Sequence, residues 1–254
     1  MTVGEKGDRK GPDQGSRSLP IRFYKSVTVD ARRPGDDGFG ILLDGKTMRT
    51  PAKAVLAVPT SALAEAIAAE WEAQRTQIDP STMPLTRLAN SAIDGVRGRE
   101  AEVREDIAKY AASDLVCYRA SEPEALARLQ VEHWDPVLDW SRAALQAPLI
   151  TAQGIMPVAQ PEAAKVGVAR ALAGYDPFAL AALHIMTTLT GSALLALAHA
   201  RGQLGAEQAW AAAHVDEDWQ IAQWGQDAEA MARRQCRWHE MHSASRLLAL
   251  LGGS

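Results

Sequence analysis

The chain has 254 residues, 47% hydrophobic and 23% charged, which is ordinary for a globular protein with room for one large domain or two modest ones. Its formal net charge of -4 and pI of about 5.9 exclude a broad attraction to nucleic acid or to an anionic membrane. Any partner must therefore be recognised by a local surface. The two cysteines, Cys117 and Cys236, form no CxxC motif, which fits a reducing compartment.

The first 20 residues are predicted to be a disordered polar tail. They begin MTVGEKGDRKGPDQGSRS, which has no apolar run like that of a secretory signal. The acidic residues Glu5, Asp8 and Asp13 also distinguish this segment from a mitochondrial transit peptide. We therefore expect a bacterial-type cytoplasmic protein.

From Ile21 to Pro59 the sequence predicts a small antiparallel sheet of three or four short strands. The segment IRFYKSVTV is rich in β-branched and aromatic residues, and the cluster PGDDG at 34–38 predicts a turn. Asp44-Gly45 is a favoured dipeptide for a two-residue hairpin turn. A sheet this small needs a helix to cover one face.

The segment GILLDGKT at 40–47 matches the written pattern of a phosphate-binding loop, G-x-x-x-x-G-K-[ST]. In such a loop a strand comes before the pattern and a helix begins at its end. Here Ile41, Leu42 and Leu43 belong to a strand, and the residues after Thr47 lack helical periodicity. We therefore predict a hairpin and no nucleotide site.

Helical periodicity dominates from Thr60 onward, which predicts an α+β protein. Its domains are a β-rich domain with a covering helix at 21–88 and an all-helical domain at 89–254. Asp135-Pro136 is expected to restart a helix, and residues 147–161 are expected to form a loop or an extra strand. The apolar helical stripes are Leu63, Ile67 and Trp71; Leu85, Leu88, Ala92, Ile93 and Val96; and Val103, Ile107, Tyr110 and Ala111.

The segment from Phe178 to Ala200 contains no Asp, Glu, Lys or Arg and is long enough to span a bilayer. However, it contains two His, three Thr and a Ser, and much of its apolar content is Ala. It follows Asp176-Pro177, a good helix start, and precedes Gly202, a good helix end. We therefore predict one buried helix and no membrane insertion.

The segment HEMH resembles part of a zinc-protease signature, and a metal-dependent hydrolase using His239 and His242 is the alternative function. That signature places its histidines four residues apart on one helical face, whereas these are three apart. Both histidines fall on a polar side of the predicted helix. The pattern therefore favours a solvated face over a metal site.

Two carboxylates occupy helical positions where apolar residues belong. Glu217 shares a face with Trp210, His214, Ile221 and Trp224 if residues 209–225 form one helix. Glu240 shares a face of the last helix with Ala244, Leu247 and Leu251. Burying an unpaired carboxylate is costly, so each has an internal partner or lies at the edge of a surface for another protein.

A series of segments along the chain resembles one family in its joint order. The segments are LDGKTMRTP, LAVPTSALAEAIAAEWEAQ, IDPSTMPLTRLANSAID, DLVCYRA, WDPVLDW, GSALLALA and DEDWQIAQWG. Together they resemble the ATP12 family, the assembly chaperones for the α subunit of the F-type ATP synthase catalytic sector. The resemblance covers about Phe23 to Leu251, and the missing transit sequence favours a bacterial, alphaproteobacterial-like member.

The resemblance implies a non-enzymatic protein that binds the free α subunit and prevents its aggregation before it pairs with β. It implies a small β-rich domain and a larger helical domain, with no cofactor, metal, nucleotide or nucleic acid. Family members act in the cytoplasm, or in the mitochondrial matrix of eukaryotes, and we expect a monomer. An acidic residue on the last helix is tied to chaperone action in this family, and Glu240 matches it. The expected partner-binding residues are Glu217, Trp224, Glu240, Leu247 and Leu251.

Overall fold

The computed structural model describes residues 19–31, 38–154 and 156–252. Most of the predicted tail, residues 1–18, and the predicted turn residues 34–37 lie outside the described residues. The predicted fold class is confirmed, because a small antiparallel sheet near the N-terminus precedes a larger set of helices.

The sheet contains strands β1 (Val27–Asp30), β2 (Phe39–Leu43), β3 (Lys46–Thr47) and β4 (Ala57–Val58), and β2 pairs antiparallel with the other three. The hairpin predicted between β2 and β3 is confirmed, since φ is 48° at Asp44 and 76° at Gly45. A two-residue turn of type I′ requires positive φ at both central positions. The residues that spell a phosphate-binding loop therefore form a strand and a tight turn.

Helix α1 (Ser61–Glu72) covers this sheet and places the predicted residues Leu63 and Ile67 in its core, each 0% exposed. The Thr60 hydroxyl accepts from the Leu63 N–H and caps the helix. The same hydroxyl donates to the Leu250 carbonyl at 2.7 Å. One side chain thus joins the start of α1 to the end of the chain's last helix.

The helical part follows in chain order. Its helices are α2 (Pro84–Ser91), α3 (Glu100–Tyr110), α4 (Glu124–Ala144), α5 (Glu162–Leu172), α6 (Pro177–Thr190), α7 (Ala193–Ala200), α8 (Ala206–Ala213), α9 (Val215–Trp224) and α10 (Ala228–Leu250). A π-helical turn, Ala92–Val96, continues α2, and short 3-10 turns occupy Pro80–Thr82 and Leu115–Cys117. The extra strand predicted within 147–161 is present: β6 (Ala152–Gln153) pairs parallel with β5 (Tyr118–Arg119). The predicted domain boundary at residue 88 falls inside α2, and a division of the chain remains a proposal.

Two predictions about helix ends are wrong. The segment 178–200 forms two helices, because Gly191 adopts φ 67° and the Ser192 hydroxyl accepts from the Leu195 N–H to start α7. Conversely, α4 does not restart at Pro136. It runs through this proline, while Trp134 on the same helix donates its indole N–H to the Ala212 carbonyl at 2.7 Å. Among the described residues, no helix is long and apolar enough to cross a membrane.

Asp114 lies at the junction between the 3-10 turn and α7 and is 0% exposed. Its carboxylate accepts from the N–H groups of Val116 at 3.3 Å and Leu194 at 3.1 Å. Burial raises the pKa of this carboxyl to about 6, although hydrogen bonds from Ser192 and from these amides oppose the increase. The Asp114 carboxylate therefore holds the 3-10 turn and the start of α7 together, while burial of its charge opposes the stability that these hydrogen bonds provide.

We predict that the stability difference between the wild type and Asp114→Asn depends on pH. The pKa of the Asp114 carboxyl is raised from 3.8 to about 6 in the folded protein. Its contribution to the free energy of unfolding is therefore fully present below pH 3.8, where the carboxyl is protonated, and is lost as pH rises through 6. The asparagine does not titrate, so the wild-type free energy of unfolding minus that of the variant should fall by up to about 3 kcal/mol over this window. Urea denaturation of both proteins between pH 4 and 7 measures it. A difference that grows with pH would mean that the amide hydrogen bonds outweigh burial.

Candidate partner-binding surface

The helix predicted over residues 209–225 is interrupted at His214, so that prediction is wrong. The Nδ1 atom of His214 lies 2.8 Å from the Trp210 carbonyl, which in a continuous α-helix would accept the His214 N–H. That N–H instead donates to the Ala211 carbonyl. The interruption separates the predicted face: Trp210 and His214 are buried, whereas Trp224 is 88% exposed.

Glu217 lies at the start of α9, and its side chain is 38% exposed. Its Oε2 atom is 3.9 Å from Nε2 of His214. Burial lowers the pKa of His214, and the nearby Arg234 and Arg237 charges lower it further. His214 is therefore neutral at neutral pH, and Glu217 lacks a charged partner in this contact.

Residues 216–240, here called the α9–α10 arm, contribute no buried residue. Within α9 only Val215 is buried, and in α10 the buried positions begin at Met241. Asp227 caps α10 by accepting from the Ala230 N–H, and Arg234 pairs with Asp218 across the two helices. The arm contains six acidic residues and three arginines, so it carries a formal charge of -3.

Glu240 lies where α10 leaves the core. The predicted apolar face is present beyond it, since Ala244 and Leu247 are 0% exposed and Leu251 is half-buried. Leu247 is thus a core residue and is not available to a partner in this structure. The side chain of Glu240 is exposed, and its carboxylate makes no hydrogen bond or salt bridge with any residue in the described ranges.

A cleft of about 140 Å³ lies beside Glu240, between α10, α2 and α6. Most of its lining is apolar, and the charged groups at its surface are Glu240 and Arg87. The remaining lining residues are Pro84, Leu88, Ser91, Ile185 and Ser243. The cleft is large enough for one aliphatic side chain of a partner, with an available carboxylate beside it.

The two histidines of HEMH lie on the exposed side of α10. The Nδ1 atom of His239 is 2.7 Å from the Gln235 carbonyl, and the His242 ring lies 6.0 Å from that of Trp238. Over residues 19–31, 38–154 and 156–252, no group of three or more His, Cys, Asp or Glu side chains could hold a metal ion. No observation therefore favours the hydrolase alternative.

Three solved structures share this architecture and indicate its class, that of chaperones with a small sheet and a larger helical part. Atp12 from Paracoccus denitrificans is 42% identical, with a TM-score of 0.85 over 91% of this chain and 98% of that chain. A point mutant of the same protein gives 42% identity and a TM-score of 0.86, over 92% and 99% of the two chains. The Atu1473 protein from Agrobacterium tumefaciens gives 50% and 0.88, over 92% and 87%.

The family model described as ATP12 chaperone protein matches residues 21–142. Together with the solved relatives, this match shows that the chain belongs to the ATP12 chaperone family. The family predicted from the sequence is therefore confirmed, as is the predicted likeness to alphaproteobacterial members.

The two cysteines provide a probe of the arm. Cys236 is exposed on the arm, whereas Cys117 is buried, and burial raises the pKa of the Cys117 thiol to about 12. We predict that a maleimide modifies one thiol per chain in the native protein at pH 7.5, and two after denaturation. Mass spectrometry of the wild type and of Cys236→Ser counts the modified thiols. Rapid native labelling of Cys236→Ser would show that the core around Cys117 opens.

Proposed function

We propose that this protein is an assembly chaperone that binds the free α subunit of the F-type ATP synthase catalytic sector and prevents its aggregation before it pairs with β. Membership of the ATP12 chaperone family supports an assembly role, and the segment resemblance supports α as the client. We propose that it acts without enzymatic activity, cofactor or nucleotide, as a monomer in the cytoplasm.

The observation that carries this proposal is the unpaired carboxylate of Glu240 beside an apolar cleft at the base of an exposed arm. A free α subunit exposes apolar surface that β later covers, and such surface promotes aggregation. The cleft offers a place for an apolar side chain, while Glu240 offers a charge for a basic one. A mixed contact of this kind is moderate in strength, as release to β requires.

We propose Trp224, elsewhere on the same arm, as a second contact. A tryptophan that is 88% exposed at the end of a helix is suited to anchor a partner, because tryptophan is enriched among interface residues that dominate binding. Glu217 and the other carboxylates of the arm would attract basic side chains of the client toward it. Leu251, half-buried at the end of α10, is the remaining predicted contact.

We predict that the purified protein suppresses aggregation of isolated α subunit at a near-equal molar ratio without nucleotide. Glu240→Lys should require about tenfold more chaperone for half-suppression, because it reverses an unpaired charge at the contact. Light scattering of α subunit during dilution from denaturant measures this. The matched control is Glu132→Lys on α4, which changes another exposed glutamate.

Two results would contradict the proposal. Equal suppression for α subunit and an unrelated unfolded protein would remove the client specificity. A fall of many degrees in the melting temperature of Glu240→Lys, with the control unchanged, would make Glu240 a structural residue. Circular dichroism of each variant distinguishes this case from lost binding.

A further inference from the structure

An extended segment near the N-terminus exposes three apolar side chains in a row. Leu19, Ile21 and Phe23 are 37%, 76% and 73% exposed. They occupy alternate positions, and side chains at alternate positions of an extended chain project to the same side. We call these three residues the ridge.

The segment that bears the ridge is held rigidly against α1 and the chain that follows it. The Ile78 N–H donates to the Pro20 carbonyl at 2.8 Å, and the Arg22 N–H donates to the Thr76 carbonyl at 3.0 Å. The Tyr24 hydroxyl donates to the Trp71 carbonyl at 2.6 Å. The ridge is therefore a fixed apolar surface. Because it is already ordered, binding a partner would cost the ridge little conformational entropy.

A groove of about 380 Å³ adjoins the ridge, and Phe23 belongs to both. Tyr24, Leu43, Met48 and Trp71 supply the apolar part of its lining. The Trp71 indole N–H is buried without an acceptor in the described part of the chain, so a partner carbonyl that reached it would gain a hydrogen bond.

The polar part of the groove is positively charged. Lys46 and Arg49 line it and form no salt bridge with a described carboxylate. The carboxylate of Asp44 also lies there, but it accepts from the N–H groups of Lys25 and Ser26 at 3.0 and 2.9 Å. These backbone bonds lower the pKa of Asp44 and occupy its oxygens. Asp44 stays negatively charged, but Lys46 and Arg49 outnumber it, so the charged groups that line the groove carry a formal charge of +1 in a chain of net charge -4.

We propose that the ridge and groove bind an extended segment of a partner protein in which acidic residues alternate with aliphatic ones. Alternation places aliphatic side chains against the ridge and the groove floor, and acidic ones near Lys46 and Arg49. The apolar floor favours a peptide over a nucleic acid. The chain's own residues 1–18 fit poorly, since they contain no Ile, Leu or Phe and more basic than acidic residues.

This inference is independent of the proposed function. It concerns the β-rich part of the chain, whereas the chaperone proposal is carried by Glu240 and the arm. A failure of the peptide test would leave the α-subunit assay unaffected, and the reverse also holds.

The test is a titration of the full chain, with its seven tryptophans labelled with ¹⁵N, observed by NMR through the indole N–H resonances. The probe is a blocked five-residue peptide that alternates Glu and Leu. We expect the Trp71 resonance, assigned with Trp71→Phe, to shift in a saturable manner. The Trp134 indole, already bonded to the Ala212 carbonyl, should not move and serves as the internal control. A Lys and Leu peptide should cause no shift.

Variants locate the binding. Phe23→Ser and Arg49→Glu should each lower the affinity for the peptide about tenfold. Phe23→Ser removes apolar surface from the ridge, and Arg49→Glu reverses a charge in the groove. Arg128→Glu, an exposed change on α4, should have no effect. Equal binding of both peptides, unchanged affinity in the two variants, or preferential binding of a single-stranded oligonucleotide would overturn the proposal. So would a concentration-dependent dimer that Phe23→Ser abolishes, since the ridge would then serve self-association.

Discussion

The arrangement of the helical region depends on the burial of α6. This helix contains no Asp, Glu, Lys or Arg, and nine of its fourteen residues are buried. A helix this apolar is stable only where most of its surface is covered, and Thr188 is the one exposed residue of α6, so the helix lies at the centre of the region. Helices α2, α3, α7, α8 and α10 and the π-helical turn all contact it. The position of each surrounding helix therefore follows from one composition, that of residues 177–190.

Helix α10 changes along its length from polar and exposed to apolar and buried. Its second half packs on α6 and α2 and buries Met241, Ala244 and Leu247. Its first half carries a polar sequence and buries no residue. Glu240 stands at the transition, so an acidic residue can remain exposed beside an apolar cleft without an internal partner.

Much of this fold could be predicted from local sequence, but not its interruptions. Asp44-Gly45 predicted the hairpin because positive φ at both residues is a local requirement. Glu240 was placed correctly because α10 is continuous. The break at Gly191 combines a local cap by Ser192 with a tertiary contact of the Asp114 carboxylate at the start of α7, and a tertiary contact of the Trp134 indole with Ala212 accompanies the continuity through Pro136. His214 interrupts its helix through its own side chain, which a helical wheel does not represent.

The outward orientation of the ridge could not be predicted from the sequence. The β-branched and aromatic residues of IRFYKSVTV predicted an extended chain, but the two faces of an extended chain do not reveal which one is covered. Here Tyr24 packs inward on Trp71, so Phe23 and Ile21 face outward. The chain thereby has a cationic groove beside its sheet and an anionic arm on its last helices. If both hold one client, each contact can be weak while their combination remains strong, because binding at the first raises the effective concentration at the second. Such a client would dissociate readily once a competitor displaced either contact.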